Sequence, residues 1–236
     1  MIYQGSKRRI AKELLGVMLE PTTTCFVDLF TGGGNLLQFV NCDNIIANDI
    51  DQYTIPFLQR LKEDITWLHK NNKEFTETDY KRVRDNKGDY DKAYIGYIGY
   101  ALSFGGKFFG GYSKDKTGKR DYVAEAYRHL FKQAELLRDK NITFYNTSYE
   151  NVPLPNNSIV YCDIPYKSTT KYTNSKTFDY DKFYDWCINK SIEGYKIYVS
   201  EYDMPEPFKL VWNKEIRNQM RKDNNSSKVV EKLYTI

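Results

Sequence analysis

Residues 158–172 read SIVYCDIPYKSTTKY, and the groups best able to do chemistry gather there. The apolar run Ser158 to Cys162 has strand composition and stops abruptly at Asp163-Ile164-Pro165-Tyr166. Pro165 cannot continue a hydrogen-bonded ladder, and it biases Ile164 towards extended geometry. A carboxylate, a main-chain carbonyl and an aromatic ring are thereby left at the carboxyl end of a strand. That is the edge at which open α/β sheets bind ligands. An Asp closing a strand before a proline turn also occurs as plain structure, so other stretches must decide.

Cys25 to Phe30 reads as a strand running into Thr31-Gly32-Gly33-Gly34-Asn35 and a helical stretch, Leu36 to Val40. Asn44 to Ala47 is a second strand, closed by Asn48-Asp49-Ile50-Asp51. This is a βαβ unit with a glycine turn at its first strand–helix junction. Gly32 and Gly34 lack side chains, so backbone can approach a ligand closely there. Asp49, closing the next strand, stands where nucleoside-binding sheets place a ribose acceptor. The pattern fits NAD, FAD or S-adenosylmethionine about equally, although the spacing is not G-x-G-x-x-G and weakens a dinucleotide reading.

The elements that position these groups follow in order. Lys7 to Leu19 reads as a helix, as do Tyr53 to Lys70, Val123 to Leu137 and Tyr180 to Ile192. Ile142 to Tyr145, Tyr195 to Ser200, Phe208 to Trp212 and Val229 to Tyr234 read as strands. Asn71 to Asp91 is polar with little periodicity. Lys107-Phe108-Phe109 lies between glycine pairs, and Tyr112 to Tyr122 reads as a hairpin turning near Thr117-Gly118. At 236 residues this is one α/β domain interrupted by an insertion. The net charge of +4 permits an anionic partner without demanding one. The four cysteines and two histidines show no metal-ligand spacing, so reduced thiols in a cytoplasmic protein are expected and no metal is. No stretch reads as a signal peptide or a membrane span.

Taken together, the motifs resemble the Dam-like DNA adenine methyltransferases. Tyr3-Gln4-Gly5-Ser6-Lys7 looks like that family's N-terminal cofactor motif, and Phe26 to Gly34 (FVDLFTGGG) like its glycine motif. Asn48-Asp49-Ile50-Asp51 is similar to its ribose motif, and Asp163-Ile164-Pro165-Tyr166 to its catalytic Asp-Pro-Pro-Tyr. Ser200-Glu201-Tyr202 and Glu231-Lys232-Leu233-Tyr234 match more weakly. The resemblance covers nearly the whole chain. It implies a Rossmann-like methyltransferase sheet with helices on both faces, formed by residues 1–55 and 122–236, with residues 56–121 inserted to read the DNA target. S-adenosylmethionine would be held by Tyr3, Lys7, Asp28, Gly32, Gly34, Asp49 and Asp163, with Asp51 as the fallback for Asp49. Ser148-Tyr149 lies where the family contacts the cofactor's adenine.

The same resemblance implies methyl transfer to the 6-amino group of an adenine flipped out of double-stranded DNA. Asp163 and the Ile164 carbonyl would accept the two amine N–H bonds, and Tyr166 would stack on the base. Ile164 departs from the family's proline. The needed carbonyl remains while the φ lock is lost, so activity is expected to be retained with room for a reduced rate. Lys107, Tyr112, Lys114, Lys116, Lys119 and Arg120, interleaved with aromatics, suit phosphate contact and stacking. Cytosine 4-amino methylation, an RNA substrate, a non-catalytic DNA-binding relative and a nucleotide-dependent oxidoreductase are the alternatives, with a monomer slightly favoured over an oligomer.

Overall fold

A computed structural model describes residues 1–71, 75–115, 117–167, 178–217 and 228–236. The strands are β1 (Cys25–Asp28), β2 (Asn44–Asn48), β3 (Ile142–Tyr145), β4 (Ile159–Asp163), β5 (Lys196–Ser200), β6 (Lys209–Arg217) and β7 (Lys228–Thr235). They form one sheet in the order β3-β2-β1-β4-β5-β7-β6. The first five run parallel, and β7 lies antiparallel between β5 and β6. From β1 the chain moves outward to β2 and β3, then returns to lay β4 on the other side of β1. The order reverses between β1 and β4, and a ligand crevice opens beyond the carboxyl ends of strands at such a point.

Side-chain alternation sorts the core onto the two faces. Val27, Val160, Cys162 and Ile197 pack against the helix Tyr180–Ile192. Phe26, Ile45, Ile159, Tyr161 and Leu233 pack on the opposite face with α1 (Ala11–Met18) and Leu137 of the long helix Tyr122–Leu137. Asp28 and Asp163 have the parity of Phe26 and Tyr161, so both belong to the α1 face.

Several elements differ from the sequence reading. α1 begins at Ala11 rather than Lys7, because residues 7–10 form a turn closed by Ile10 N–H on the Lys7 carbonyl (3.0 Å). The stretch after the glycines is a single 3-10 turn, Leu37–Phe39, and not a full helix. The long helix expected from Tyr53 is two, α2 (Thr54–Glu63) and α3 (Ile65–Asn71). They break at Asp64, whose carboxylate accepts from Trp67 N–H at 3.1 Å. The polar stretch holds α4 (Glu77–Asp85), started by a capping box in which Thr76 and Asp79 each accept from the other's backbone N–H. α5 (Lys92–Gly96) then runs into a π-helical turn, Tyr97–Ala101. The remaining helices are α6 (Tyr122–Leu137) and α7 (Tyr180–Ile192), both as expected.

The expected hairpin at Thr117-Gly118 is absent among the described residues. The antiparallel approach is instead a single bridge, Ser103 with Tyr112, flanked by Phe104 N–H on the Gly111 carbonyl and Ser113 N–H on the Leu102 carbonyl. Gly105 and Gly106, at φ 65° and 68°, make the tight turn inside it. Near Thr117 the Asp115 carboxylate gathers the N–H groups of Thr117, Lys119 and Arg120, which closes a local turn in place of strand pairing. The described residues of 56–121 add no strand to the sheet. Their apolar side chains, among them Phe57, Trp67, Tyr80 and Tyr97, cluster with Ala126 and Leu130 of α6. No described helix is long and apolar enough to cross a membrane.

Candidate active site

β4 carries Asp163 to its carboxyl end beside β1, and the turn of residues 7–10 brings Lys7 across to meet it. Lys7 Nζ lies 3.0 Å from Asp163 Oδ1 and 3.3 Å from Glu231 Oε2. Glu231 shares the parity of Leu233 on β7, hence the same face of the sheet. The Tyr166 hydroxyl donates to the same Glu231 oxygen at 2.8 Å, and its ring lies 4.6 Å beneath the Lys7 ammonium. The Tyr202 ring meets Tyr166 edge-on at 4.5 Å. The carboxylate facing Lys7 is thus the protein's own, where the sequence reading had Lys7 holding the cofactor.

Asp163 keeps 22% of its side chain exposed, and no described residue donates to its Oδ2. Burial raises its carboxyl to about 6; Lys7 opposes that rise, and the Glu231 and Glu201 charges add to it. Burial alone would lower the Lys7 ammonium, but Asp163 and Glu231 overcome it and hold the group charged. Ile164 buries its side chain under α7 at 2% exposure. Packing therefore fixes this residue where a proline ring otherwise would, and no described donor reaches its carbonyl. The Tyr180 hydroxyl donates to the Pro165 carbonyl at 2.8 Å. Glu201, 1% exposed, accepts from Lys167 N–H (2.9 Å) and from its neighbour Tyr202 N–H (2.6 Å), and so anchors the turn after the tetrapeptide.

The glycine turn is a cradle that only glycine fits. Gly32 and Gly34 take φ 49° and 63°. A Cβ on Gly32 would stand 2.7 Å from the Tyr3 ring, and one on Gly33 would stand 2.6 Å from Tyr3 Cβ. Gln133 of α6 donates to the Gly33 carbonyl at 2.9 Å, gripping the turn from its other side. Asp49 accepts from Gly32 N–H (2.8 Å) and Asp51 N–H (2.9 Å), and burial raises its carboxyl to about 6 against those donors. Asp51 is used differently: its Oδ1 accepts from Tyr53 N–H, Thr54 N–H and the Thr54 hydroxyl, starting α2. Asp28 is 2% exposed, its Oδ1 has no partner among the described residues, and burial pushes its carboxyl well above the usual range. An orphaned acid beside a glycine cradle is what a ligand's ammonium group would satisfy. The residues present therefore fit S-adenosylmethionine, which Asp28, the Gly32 to Gly34 turn and Asp49 would hold. Tyr149 packs on Phe30, Phe183 and Trp186, at the edge of the aromatic core.

The basic residues of the middle segment are divided. Lys107 and Lys119 are exposed. Lys114 pairs with Glu77 at 2.6 Å, and Arg120 makes a two-pronged contact with Glu125 while stacking on Tyr122. The Tyr112 hydroxyl donates to the Phe75 carbonyl, and Phe108 and Phe109 pack against Tyr100 and Tyr80. The exposed ring is Phe104, at 70%. Lys116 lies outside the described residues. Sequence reasoning placed Glu201, Glu231 and Asn48 in family-like motifs without giving any of them an individual task, and passed over Gln133. Asn48, 1% exposed, ties β1 to the β3 end by donating to the Leu29 and Thr147 carbonyls. An acid inside the apolar alternation of KVVEKLYT was the available signal for Glu231.

A parallel sheet with a glycine cradle at the end of β1 and an Asp-initial tetrapeptide at the end of the adjacent β4 defines a Rossmann-like methyltransferase. Residues 3–236 match the family described as D12 class N6 adenine-specific DNA methyltransferase, and the chain belongs to that family, whose methyl donor is S-adenosylmethionine. It is 28% identical over 186 residues to the type II methyltransferase M.FokI of Planomicrobium okeanokoites. That alignment covers 71% of this chain and 29% of the relative, so the chain spans less than a third of the curated relative it matches. Among solved structures it is similar to the rRNA methyltransferase aviRa from Streptomyces viridochromogenes, at TM-score 0.45 and 13% identity, covering 100% of this chain and 86% of that one.

Proposed function

We propose that this chain methylates the 6-amino group of adenine in double-stranded DNA. The observation that supports it most is Asp163. Its Oδ1 is held by Lys7, its Oδ2 has no described donor, and the Ile164 carbonyl follows it in the chain. An adenine amine is a poor nucleophile because its lone pair is delocalised into the ring. Asp163 Oδ2 and the Ile164 carbonyl each accept one N–H, which favours a tetrahedral nitrogen with its lone pair directed at the donor. S-adenosylmethionine would supply a methyl group already activated by its sulfonium, the S–CH3 bond breaking to leave a neutral thioether. As the N–C bond forms, Asp163 stabilises the positive charge on nitrogen and takes the released proton on Oδ2, passing it to solvent at its exposed side. A carboxyl at about 6 is ionised at neutral pH yet more basic than an ordinary aspartate.

Residues 56–121 serve as the DNA-reading insertion of a catalytic domain formed by residues 1–55 and 122–236. Their lack of sheet strands and their separate apolar cluster support that division, although the cluster also takes in residues of α6. Lys107 and Lys119 contact phosphates. The test is transfer of a radiolabelled methyl group to DNA, followed by digestion to nucleosides. Label in N6-methyl-2′-deoxyadenosine that is lost with Asp163→Ala is the expected result. Label on cytosine or only on RNA, or near-full activity in Asp163→Ala, overturns the reading.

A further inference from the structure

We propose that Glu231 is a positioning residue for the catalytic tetrapeptide: it divides the Lys7 ammonium between two carboxylates and pins the Tyr166 ring, so that Asp163 keeps one oxygen open to the target amine. This rests on Asp163 being the amine acceptor. β7 pairs with β5 through Ser200 and Leu233 and so carries Glu231 to the α1 face, opposite the end of β4. One oxygen, Oε2, then receives both Lys7 (3.3 Å) and the Tyr166 hydroxyl (2.8 Å). An ammonium has three N–H bonds. Here Asp163 Oδ1, Glu231 Oε2 and the Tyr166 ring face are three partners for them. With every N–H engaged, the ammonium is held away from Oδ2. The Tyr166 ring is fixed at its hydroxyl by Glu231, on one face by Lys7 and at its side by Tyr202.

The charges decide the sign of the effect. Asp163 is faced by Lys7, Glu231, Glu201 and Asp28, and by the hydroxyls of Tyr161, Tyr166 and Tyr202. Removing the Glu231 charge leaves Lys7 to Asp163 alone, and the carboxyl titrates at lower pH. The same change replaces a charge-assisted hydrogen bond to the Tyr166 hydroxyl with a weaker neutral one, loosening the ring's anchor at that end.

The test compares wild type, Glu231→Gln and Tyr166→Phe by two readouts: 13C NMR titration of the Asp163 carboxyl, and the pH profile of single-turnover methyl transfer. In Glu231→Gln the NMR midpoint and the acid limb of the rate move together to lower pH. Its plateau rate falls about tenfold, the size of one charge-assisted hydrogen bond. Tyr166→Phe lowers the plateau and leaves the midpoint in place. An unmoved midpoint in Glu231→Gln overturns the proposal. Should that variant not fold, Glu231→Asp draws the charge back by one methylene and moves the midpoint the same way by less; an unmoved midpoint there overturns it equally. A midpoint that moves while even wild type transfers no methyl group supports the link from Glu231 to Asp163 and sinks the assigned reaction instead.

Discussion

Replacing Lys7 by Met, which keeps most of the aliphatic stem and removes the charge, is the most informative single perturbation of this site. Lys7 is 9% exposed and stands 3.0 Å and 3.3 Å from two carboxylates. At an effective dielectric of roughly 20, each contact contributes about 5 kcal/mol before the cost of desolvation is subtracted. Breaking such a pair by removing one partner costs about 3–5 kcal/mol, because the other charges stay buried and uncompensated. Raising a carboxyl by two pH units takes about 2.7 kcal/mol, less than either contact supplies. Asp163 therefore moves from about 6 to above neutrality. A protonated Asp163 donates where the amine needs an acceptor, so a two-unit rise lowers methyl transfer at pH 7 by about tenfold, and the rate recovers as pH rises.

Stability moves the opposite way with pH. A carboxyl whose folded pKa lies further above its unfolded value makes the fold weaker as pH rises between the two values. Lys7→Met is then most destabilised at about pH 8 and least at about pH 5. Single-turnover methyl transfer and urea unfolding, both across this range, are the measurements. A Lys7→Met protein with the wild-type acid limb and a pH-independent stability loss would refute the reasoning.

Three further outcomes follow from the geometry. A Cβ on Gly106 would stand 2.6 Å from the Tyr3 backbone at φ 68°, whereas Gly5 has φ 79° in open space. Gly5→Ala therefore loses about 1 kcal/mol from backbone strain alone, and Gly106→Ala loses more than about 2 kcal/mol, read by thermal unfolding; equal losses would contradict the packing. Charge reversal at exposed Lys107 or Lys119 lowers the salt slope of DNA binding by about one for each phosphate no longer neutralised. Neutralising Lys114 or Arg120, already paired with Glu77 and Glu125, changes it less, and a reversed order in titrations against salt would reassign the phosphate-binding residues. Glu201→Ala strands the N–H groups of Lys167 and Tyr202, at about 1–3 kcal/mol and with a slower methyl-transfer step, while wild-type urea stability in that variant would show the turn holds itself.

β1 to β5 were legible because each is a short apolar run stopped by a turn signal, and α6 and α7 because their apolar positions recur at helical spacing; β6 was read only to Trp212, because its continuation to Arg217 is the polar run NKEIR. α4 was not, since its composition is polar and its start is a Thr76/Asp79 box with aspartate at the usual glutamate position. The break at Asp64 was hidden because apolar spacing continues through it on both sides. Asp163 and the glycine turn could be found from local residue types. The partners of Lys7 could not, because Asp163 and Glu231 reach it from strands far away in sequence. Phe108 and Phe109 read as stacking surfaces but are half-buried against the core, because Gly99 leaves room for Phe108 where a Cβ would stand 2.4 Å from its ring.

Tyr3 touches two parts of the molecule at once. Its backbone is the floor on which Gly106 sits, and its ring is the lid over Gly32 and Gly33. Tyr3 is a direct link between the loop of residues 104–111 and the glycine turn, beside the longer route from Phe108 through Tyr53 and α2 to Leu58 at Gly34. Linkage makes such a connection symmetric: the factor by which a polymer on the loop alters donor affinity is the factor by which the donor alters hold on the polymer. The size of that shared factor would then be set in part by how firmly one ring is seated.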